Sequence, residues 1–502
     1  MNILFAASEV VPFAKTGGLA DVANALPIEL SRLGHNVTVM LPAYRCTEHC
    51  GVPIETTPHH FDVPIGSKLV PGRLLRSQLP GSSVTVYLVD QPDYFHRAEL
   101  YREKGEDYRD NCERFAFFCR GVMEAIRILD LRVDVLHCND WQTGLIPAYQ
   151  QIEYRHVRTY ANISTLMTIH NMAYQGQFWH WDMLLTGLDW KYFNLHQMEF
   201  FGGLNLLKTG LVFADAITTV SRRYAEEIQT QPLGCGLEGV LSHRREHLTG
   251  IVNGVSYDDW NPAHDKHLAA YYQLPNWQEG KAKCKAALQA ELGLPVEPST
   301  PLIGLVGRLA DQKGWDLVAE VMKHWAPREA VQWAILGTGE PIYHELLSQL
   351  AAQHPQRVAA KLQFSDAMAH RIEAGADMFL MPSLYEPCGL NKLYSLKYGT
   401  VPIVRATGGL ADTITDMDAN PASDSDMPEP NGFSFDSYDS IELDRTLTRA
   451  CRVYRENPSA WQRLAENGMR QDWSWRSSAS KYVELYQATA DHKKRGLLAV
   501  AH

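Results

Sequence analysis

Glu386-Pro387-Cys388-Gly389-Leu390 is a stretch whose residue types suit the gripping of a polar ligand. It stands between two short apolar runs, 378–381 and 402–404, and a helix-like segment 390–398 closed by Gly399 separates it from the second run. Strand, turn, helix, strand puts Glu386 in a loop beyond the carboxyl end of a strand, where open α/β sheets bind their ligands. Gly389 lets a ligand approach the backbone, and the amides that follow, from Leu390 on, face outward as donors for anions or hydroxyls. The same five residues also read as a capped turn with an acid near a helix start.

Two cations follow another apolar run, 302–306: Arg308, in Gly307-Arg308-Leu309, and Lys313, in Gln312-Lys313-Gly314. Arginine offers phosphate a fork and lysine a point charge, so the pair suits a diphosphate; surface ion pairs are the plainer alternative. Near the N-terminus Lys15-Thr16-Gly17-Gly18 follows a first apolar run, 3–7. Two glycines behind a lysine fit close backbone approach to phosphate, and equally a tight turn; the dinucleotide fingerprint G-x-G-x-x-G is absent. Asp140 and His170-Asn171 stand at the ends of two more predicted strands, 133–136 and 166–169. Alone, the aspartate could be a helix cap and the histidine a structural residue. Cys46, His49 and Cys50 lack a second pair at zinc spacing and read as a chance surface cluster. Tyr94 and Phe95 suit either stacking on a ligand ring or core packing.

The elements that must position these residues come in two series. In the first, strand 3–7, a helix carrying Val22, Leu26, Leu30 and Leu33, and strand 37–41 form a βαβ unit. Strand 84–89, helix 115–128, and strands 133–136, 166–169 and 213–220 follow. A short strand and turn at 249–255 and a polar crossover at 260–278 place a domain boundary near 246–256. The second series restarts with strand 302–306, a helix from Trp315, strand 331–336, the Glu386 unit, and a strand ending at Thr407-Gly408-Gly409. Residues 16–21 and 407–412 are the same six residues, TGGLAD, each copy after a strand in its own half. That repeat suggests two related open sheets. Residues 416–431 carry Asp416, Asp418, Asp424, Asp426 and Glu429 with three prolines and no base, which reads as a solvated loop. The segment 473–487 is helical and amphipathic, and 491–502 reads as a frayed tail.

Composition bounds the function. With 502 residues, 45% hydrophobic and 21% charged, the chain is an ordinary globular protein of two or three domains. A net charge of −11 argues against nucleic acid or an anionic membrane as partner, and requires any polyphosphate ligand to find a local basic site. Nine cysteines without a ligand-like array suit reduced thiols in the cytoplasm. Residues 1–8 lack the charged region of a signal peptide and read as a buried strand. No run reaches the roughly 18 apolar residues of a membrane span.

Assembled, these motifs resemble the bacterial glycogen synthase and plant starch synthase family over nearly the whole length. The marks are Lys15 to Leu19, Asn139-Asp140-Trp141, Thr168 to Asn171, Asn253-Gly254-Val255, Gly307 to Leu309 with Gln312 to Gly314, Glu386 to Leu390, and Thr407 to Leu410. The resemblance implies a retaining glycosyltransferase of the α/β GT-B fold, with two Rossmann-like, doubly wound parallel-sheet domains facing across a cleft. The expected domains are 1–248 on the acceptor-glucan side and 254–475 for the nucleotide sugar, with a C-terminal helix and tail, 476–502, packing back on the first. The implied reaction moves glucose from ADP-glucose to the non-reducing end of an α-1,4-glucan, glycogen or starch, with no metal or other cofactor. The alternatives are a UDP-glucose-dependent transferase of the same fold with another acceptor, and a catalytically silent glucan-binding scaffold. The resemblance assigns Arg308 and Lys313 to the diphosphate, joined by Lys15, Gly17 and Gly18. It sets Glu386, Cys388, Gly389, Leu390, Asn253 and His170 on the donor sugar, with Asp140 near the reacting bond. Asn171, Thr407, Gly408 and Gly409 complete the substrate-binding set. Two positions depart from the common pattern: Tyr394 stands where many such enzymes have a second glutamate, and Lys392 where glutamine is usual.

Overall fold

The computed structural model describes residues 1–419 and 428–500, the last five for backbone only. The chain forms two compact units. The first joins residues 1–254 to the C-terminal segment from Trp475; the second is Val255–Ser474.

The first unit is built on a nine-stranded sheet. Its strands are β1 (Asn2–Ala6), β2 (Asn36–Pro42), β3 (Glu55–Ile65), β4 (Lys68–Gln78), β5 (Thr85–Asp90), β6 (Val135–Asn139), β7 (Ser164–Ile169), β8 (Ala216–Thr219) and β9 (Leu248–Gly250). They lie in the order β9-β8-β7-β6-β1-β2-β5-β4-β3. β1, β2, β5 and β6 to β9 run parallel, and the central runs are buried on both faces as parallel strands require. β3 and β4 depart from the expected all-parallel sheet: they form an antiparallel hairpin added to the edge at β5. Alternate residues of this hairpin, Phe61, Val63, Ile65, Val70 and Leu74, are buried, the period-2 signature of a one-faced sheet. Gly72 is required there, because a Cβ would come within 2.6 Å of the Phe61 ring and 2.7 Å of Phe117.

Tyr94 and Phe95, one possible sugar platform in the sequence, belong instead to this unit's core. They are 8% and 0% exposed, and the Tyr94 hydroxyl donates to Glu113. Phe213 ends the helix Leu206–Phe213 rather than opening a strand. The helix Trp475–Val500 sets Ala479, Tyr482 and Tyr486 into the same core. Tyr486 meets His137 Nδ1 at 2.7 Å, and the other ring nitrogen meets the Thr168 hydroxyl at 2.6 Å. Residues 491–500 are helix, not a frayed tail, and Lys493 pairs with Asp215 at 2.7 Å.

The second unit holds six parallel strands: β10 (Leu302–Val306), β11 (Gln332–Leu336), β12 (Val358–Lys361), β13 (Met378–Met381), β14 (Val401–Arg405) and β15 (Phe433–Phe435). Their order is β12-β11-β10-β13-β14-β15. The stretch read as a polar crossover ends in a helix, Trp277–Leu292, whose Lys281 and Lys285 are buried against backbone carbonyls. The acidic loop is not wholly solvated. Asp416 and Asp418 are bound by Arg449 at 2.6 and 2.5 Å, while Asp424 and Asp426 lie outside the described residues.

Each sheet reverses its winding once. From β1 the chain builds outward through β2 to one edge, then returns to β6 on the other side; from β10 it builds through β11, then returns to β13. The crevice at such a reversal is where doubly wound sheets bind ligands. Among the described residues no helix is long and apolar enough to cross a membrane.

Candidate active site

In the second unit the reversal between β10 and β13 carries the predicted cations and the glutamate. Lys313 follows β10 and reaches Glu386, beyond β13, with Nζ 2.6 Å from Oε2. The Glu386 side chain is 6% exposed and that of Lys313 25%. Ser383 donates its hydroxyl to the same carboxylate oxygen at 3.0 Å. Arg308 is exposed on the preceding turn, with Nη2 3.4 Å from Gln312 and its carbonyl receiving the Trp315 indole N–H. Arg405, at the end of β14, donates to the carbonyls of Ser383 and Leu384 and so braces the loop.

The glycines of this loop serve packing as much as ligand approach. Gly389 has φ +76°, and a Cβ on it would stand 2.8 Å from Glu386 Cγ. It is the N-cap of the helix Leu390–Lys397, whose first amides have no partner within the helix and point out of its N-terminal end. Gly408 and Gly409, after Thr407, press on the same loop: a Cβ on either would sit about 2 Å from the carbonyl oxygen of Glu386 or Cys388. The Gly409 amide itself donates to the carbonyls of Glu386 and Pro387. Gly409 thus shapes the loop that holds Cys388 and Leu390. Lys392 is fully buried beneath it and donates to the Cys388 carbonyl; burial lowers its pKa, and the nearby negative charges oppose the shift. Tyr394 stacks on Trp260, with ring centroids 3.8 Å apart and planes 2° from parallel, so it fills the place of the second glutamate with an aromatic contact.

The first unit gathers its own cluster around the reversal between β1 and β6. Glu9, which no sequence motif singles out, organises the glycine loop. It is 4% exposed, and its carboxylate accepts from the amides of Thr16 and Gly17, the Thr16 hydroxyl and the Tyr101 hydroxyl. The Gly17 amide is therefore turned to Glu9 rather than to a ligand. Outward donation from this loop falls to Gly18, the first residue of the helix Gly18–Arg32, and to Lys15. A Cβ on Gly17 or Gly18 would meet nothing within 4 Å, so unlike their repeat partners these two glycines border open space. Lys15 is half exposed and paired with Asp21 at 2.7 Å.

Asp140 follows β6 with φ +55°, a backbone state costly for a residue with a Cβ and concentrated at functional sites. Its carboxylate accepts the His170 amide at 2.8 Å. Burial raises its pKa to about 7; the His170 amide works against this and the charge of Glu9 adds to it. His170, after β7, meets Asn139 Oδ1 through Nε2 at 2.9 Å, and burial lowers its pKa to about 3. Asn139 donates its amide to the Ala6 carbonyl, so its oxygen is the acceptor for His170. The imidazole is thus neutral with hydrogen on Nε2, and Nδ1 keeps a lone pair. Asn171 turns its oxygen to the Ala173 amide. Asn253, after β9, is 5% exposed, and its Oδ1 has no hydrogen-bond partner among the described residues.

Each predicted site residue therefore lies at the carboxyl edge of its own sheet. Glu9, Asn139, Ser383, Gln312 and Arg405 were missed as site residues. Asn139 and Gln312 belong to Asn139-Asp140-Trp141 and Gln312-Lys313-Gly314, whereas Glu9 gives no local signal beyond following a strand.

Residues 2–243 match the family model "Starch synthase catalytic domain", and residues 293–470 match "Glycosyl transferases group 1". The chain is 47% identical to a glycogen synthase of Rhodopirellula baltica over 505 residues, 99% of each chain. It is 44% identical to glycogen synthase 2 of Geobacter sulfurreducens, over 98% of this chain and all of that one. Among solved structures, the catalytic domain of starch synthase IV from Arabidopsis thaliana, bound to ADP and acarbose, is similar with a TM-score of 0.88 and 31% identity, over 98% of this chain and 99% of that one. With a likeness that runs end to end in sequence and in GT-B fold, the chain belongs to the glycogen synthase and starch synthase family of glucosyltransferases.

Proposed function

We propose that the protein is a cytoplasmic enzyme that transfers glucose from ADP-glucose to the non-reducing end of an α-1,4-glucan, with retention and without a metal ion. The observation that carries the reading is the Lys313–Glu386 pair with Arg308 at the sheet reversal of the second unit. Breaking a sugar–diphosphate bond builds negative charge on the leaving phosphate and positive charge at the anomeric carbon. Preorganised groups of opposite sign are the main means of stabilising both. Arg308 and Lys313 take the diphosphate, as a fork and a point charge. Glu386 accepts hydroxyls of the donor glucose, with the amides that begin the helix at Leu390 beside it. His170, neutral at physiological pH, accepts a sugar hydroxyl through Nδ1. Burial lowers its pKa to about 3, so it serves as an acceptor and not as an imidazolium acid. The unpartnered Asn253 oxygen is a further acceptor awaiting a hydroxyl. Asp140 lies near the reacting bond and balances positive charge when ionised. ADP in the Arabidopsis structure supports the choice of nucleotide, and acarbose supports a glucan partner.

The test is incorporation of labelled glucose into glycogen from ADP-glucose and from UDP-glucose, with and without EDTA. Incorporation from ADP-glucose, unchanged by EDTA, is expected. Preference for UDP-glucose overturns the donor, loss of activity in EDTA restored by magnesium overturns the metal-free chemistry, and no incorporation from either donor leaves a silent scaffold.

A further inference from the structure

Away from the catalytic clusters, the second unit brings together His267, Asp366 and His370. One candidate ligand atom from each lies within 4.8 Å of the others. His370 and Asp366 are one turn apart on the helix Asp366–Gly375, so both point to the same side; His267 comes from the loop before the helix Trp277–Leu292. We propose that these three residues form a zinc-binding site, with water completing the coordination.

The outer partners are what separate this cluster from a chance meeting of polar side chains. His370 is 4% exposed, and its Nδ1 lies 2.7 Å from Oδ2 of Asp265, itself 3% exposed. The Asp265 carboxylate also receives the Tyr398 hydroxyl at 2.6 Å and the His267 amide at 2.9 Å. An ionised carboxylate only accepts, so Nδ1 carries a hydrogen, and Nε2 is the ring nitrogen left to face a metal, 3.9 Å from Asp366 Oδ2. A carboxylate on the remote nitrogen is the usual outer support of a zinc-bound histidine: it sets the tautomer and raises basicity. Trp260 holds the ring in place, stacked on His370 at 3.6 Å and 12° and on Tyr394 at 3.8 Å and 2°. Two near-parallel rings that close to one indole must lie on opposite faces of it.

Ligands bonded at about 2.0–2.1 Å to one tetrahedral zinc stand about 3.3 Å apart, so the three atoms must draw together on binding, His370 Nε2 and the Oδ2 of exposed Asp366 from 3.9 Å. Two imidazoles and one carboxylate favour zinc over magnesium or calcium, which prefer all-oxygen shells. Through Trp260 the ion would brace the helix Leu390–Lys397 without touching the reacting groups. It would add stability and leave turnover unchanged.

The experiment titrates Zn²⁺ into the chelator-stripped full chain by calorimetry and follows thermal unfolding alongside. One equivalent bound with a raised Tm is expected, with magnesium unable to compete. His267→Ala and Asp366→Asn, neither of them a core residue, should each weaken binding by at least about tenfold and abolish the Tm shift, with turnover unchanged. Cys46→Ser and Cys50→Ser should bind as the wild type does. No binding by the wild type, equal binding by His267→Ala and Asp366→Asn, or loss of binding in the cysteine variants overturns the site.

Discussion

Glu386→Gln tests the centre of the proposed mechanism with little change of shape. The amide can still receive the Ser383 hydroxyl, but Lys313 loses its counter-charge. Two losses follow and they are separable. A hydrogen bond to a charged group contributes about 1.5–3 kcal/mol, and the low end applies because the Lys313 ammonium, a quarter exposed, regains water. The fold should therefore survive with a modestly lower Tm. Turnover should fall further, by about 10²–10³-fold, the scale of one lost transition-state electrostatic contact. Steady-state transfer of labelled glucose, run beside thermal melts, reads both quantities. Lys313→Met and the double variant complete a cycle, and residues 2.6 Å apart should be non-additive. A folded Glu386→Gln protein with turnover within a few-fold of wild type, or strict additivity with Lys313→Met, would refute the assignment.

Three other perturbations follow from the geometry. Gly389→Ala places a Cβ 2.8 Å from Glu386 Cγ at φ +76°. The left-handed backbone alone should cost about 1–2 kcal/mol of stability, read as a lower Tm. The contact should also displace the glutamate, so turnover falls more than stability; wild-type activity would show that the loop tolerates the shift. Lys392→Met removes the buried Nζ donor to the Cys388 carbonyl. It should destabilise the second unit by about 1–3 kcal/mol, whereas Lys392→Gln, which keeps a donor, should lose less; equal melting of the two contradicts this. Asp140 holds its proton more tightly folded than unfolded, so its stabilising contribution is full below about pH 4 and is lost as pH rises through about 7. His170 acts oppositely: its contribution is present above about pH 6.5 and is lost as pH falls through about 3. Asp140→Asn should therefore flatten the decline of Tm between about pH 4 and 7 and leave the acid side intact; an unchanged profile would exclude Asp140 as its source.

The order of strands, loops and motifs was legible because it is local. Apolar runs such as 302–306 and 378–381, each followed by glycine and then a helical period, announce a strand end and a loop wherever they occur. That was enough to pick Glu386, Arg308, Lys313, Asp140 and His170 as residues on one kind of edge. The hairpin β3–β4 is not legible in the sequence, because Pro58, Pro64 and Pro71 interrupt a pattern whose alternation shows only in burial. Tyr94 and Phe95 remained ambiguous, since an aromatic after a strand suits a sugar and a core alike until the helix Asn111–Ile128 covers it.

By itself the sequence determined two α/β units with ligand loops after particular strands, since each βα step is decided among neighbouring residues. Only the tertiary structure decided what those loops do with their groups. Glu9 captures the Gly17 amide, Asn139 sets the His170 tautomer, and Lys392 holds the Cys388 carbonyl. The two TGGLAD copies show the limit. In the first, the glycines border open space; in the second, they are pressed against the carbonyls of Glu386 and Cys388. Identical residues carry identical local preferences, but what stands beside them is set by strand order and by chain brought in from elsewhere in the sequence, which no local pattern records.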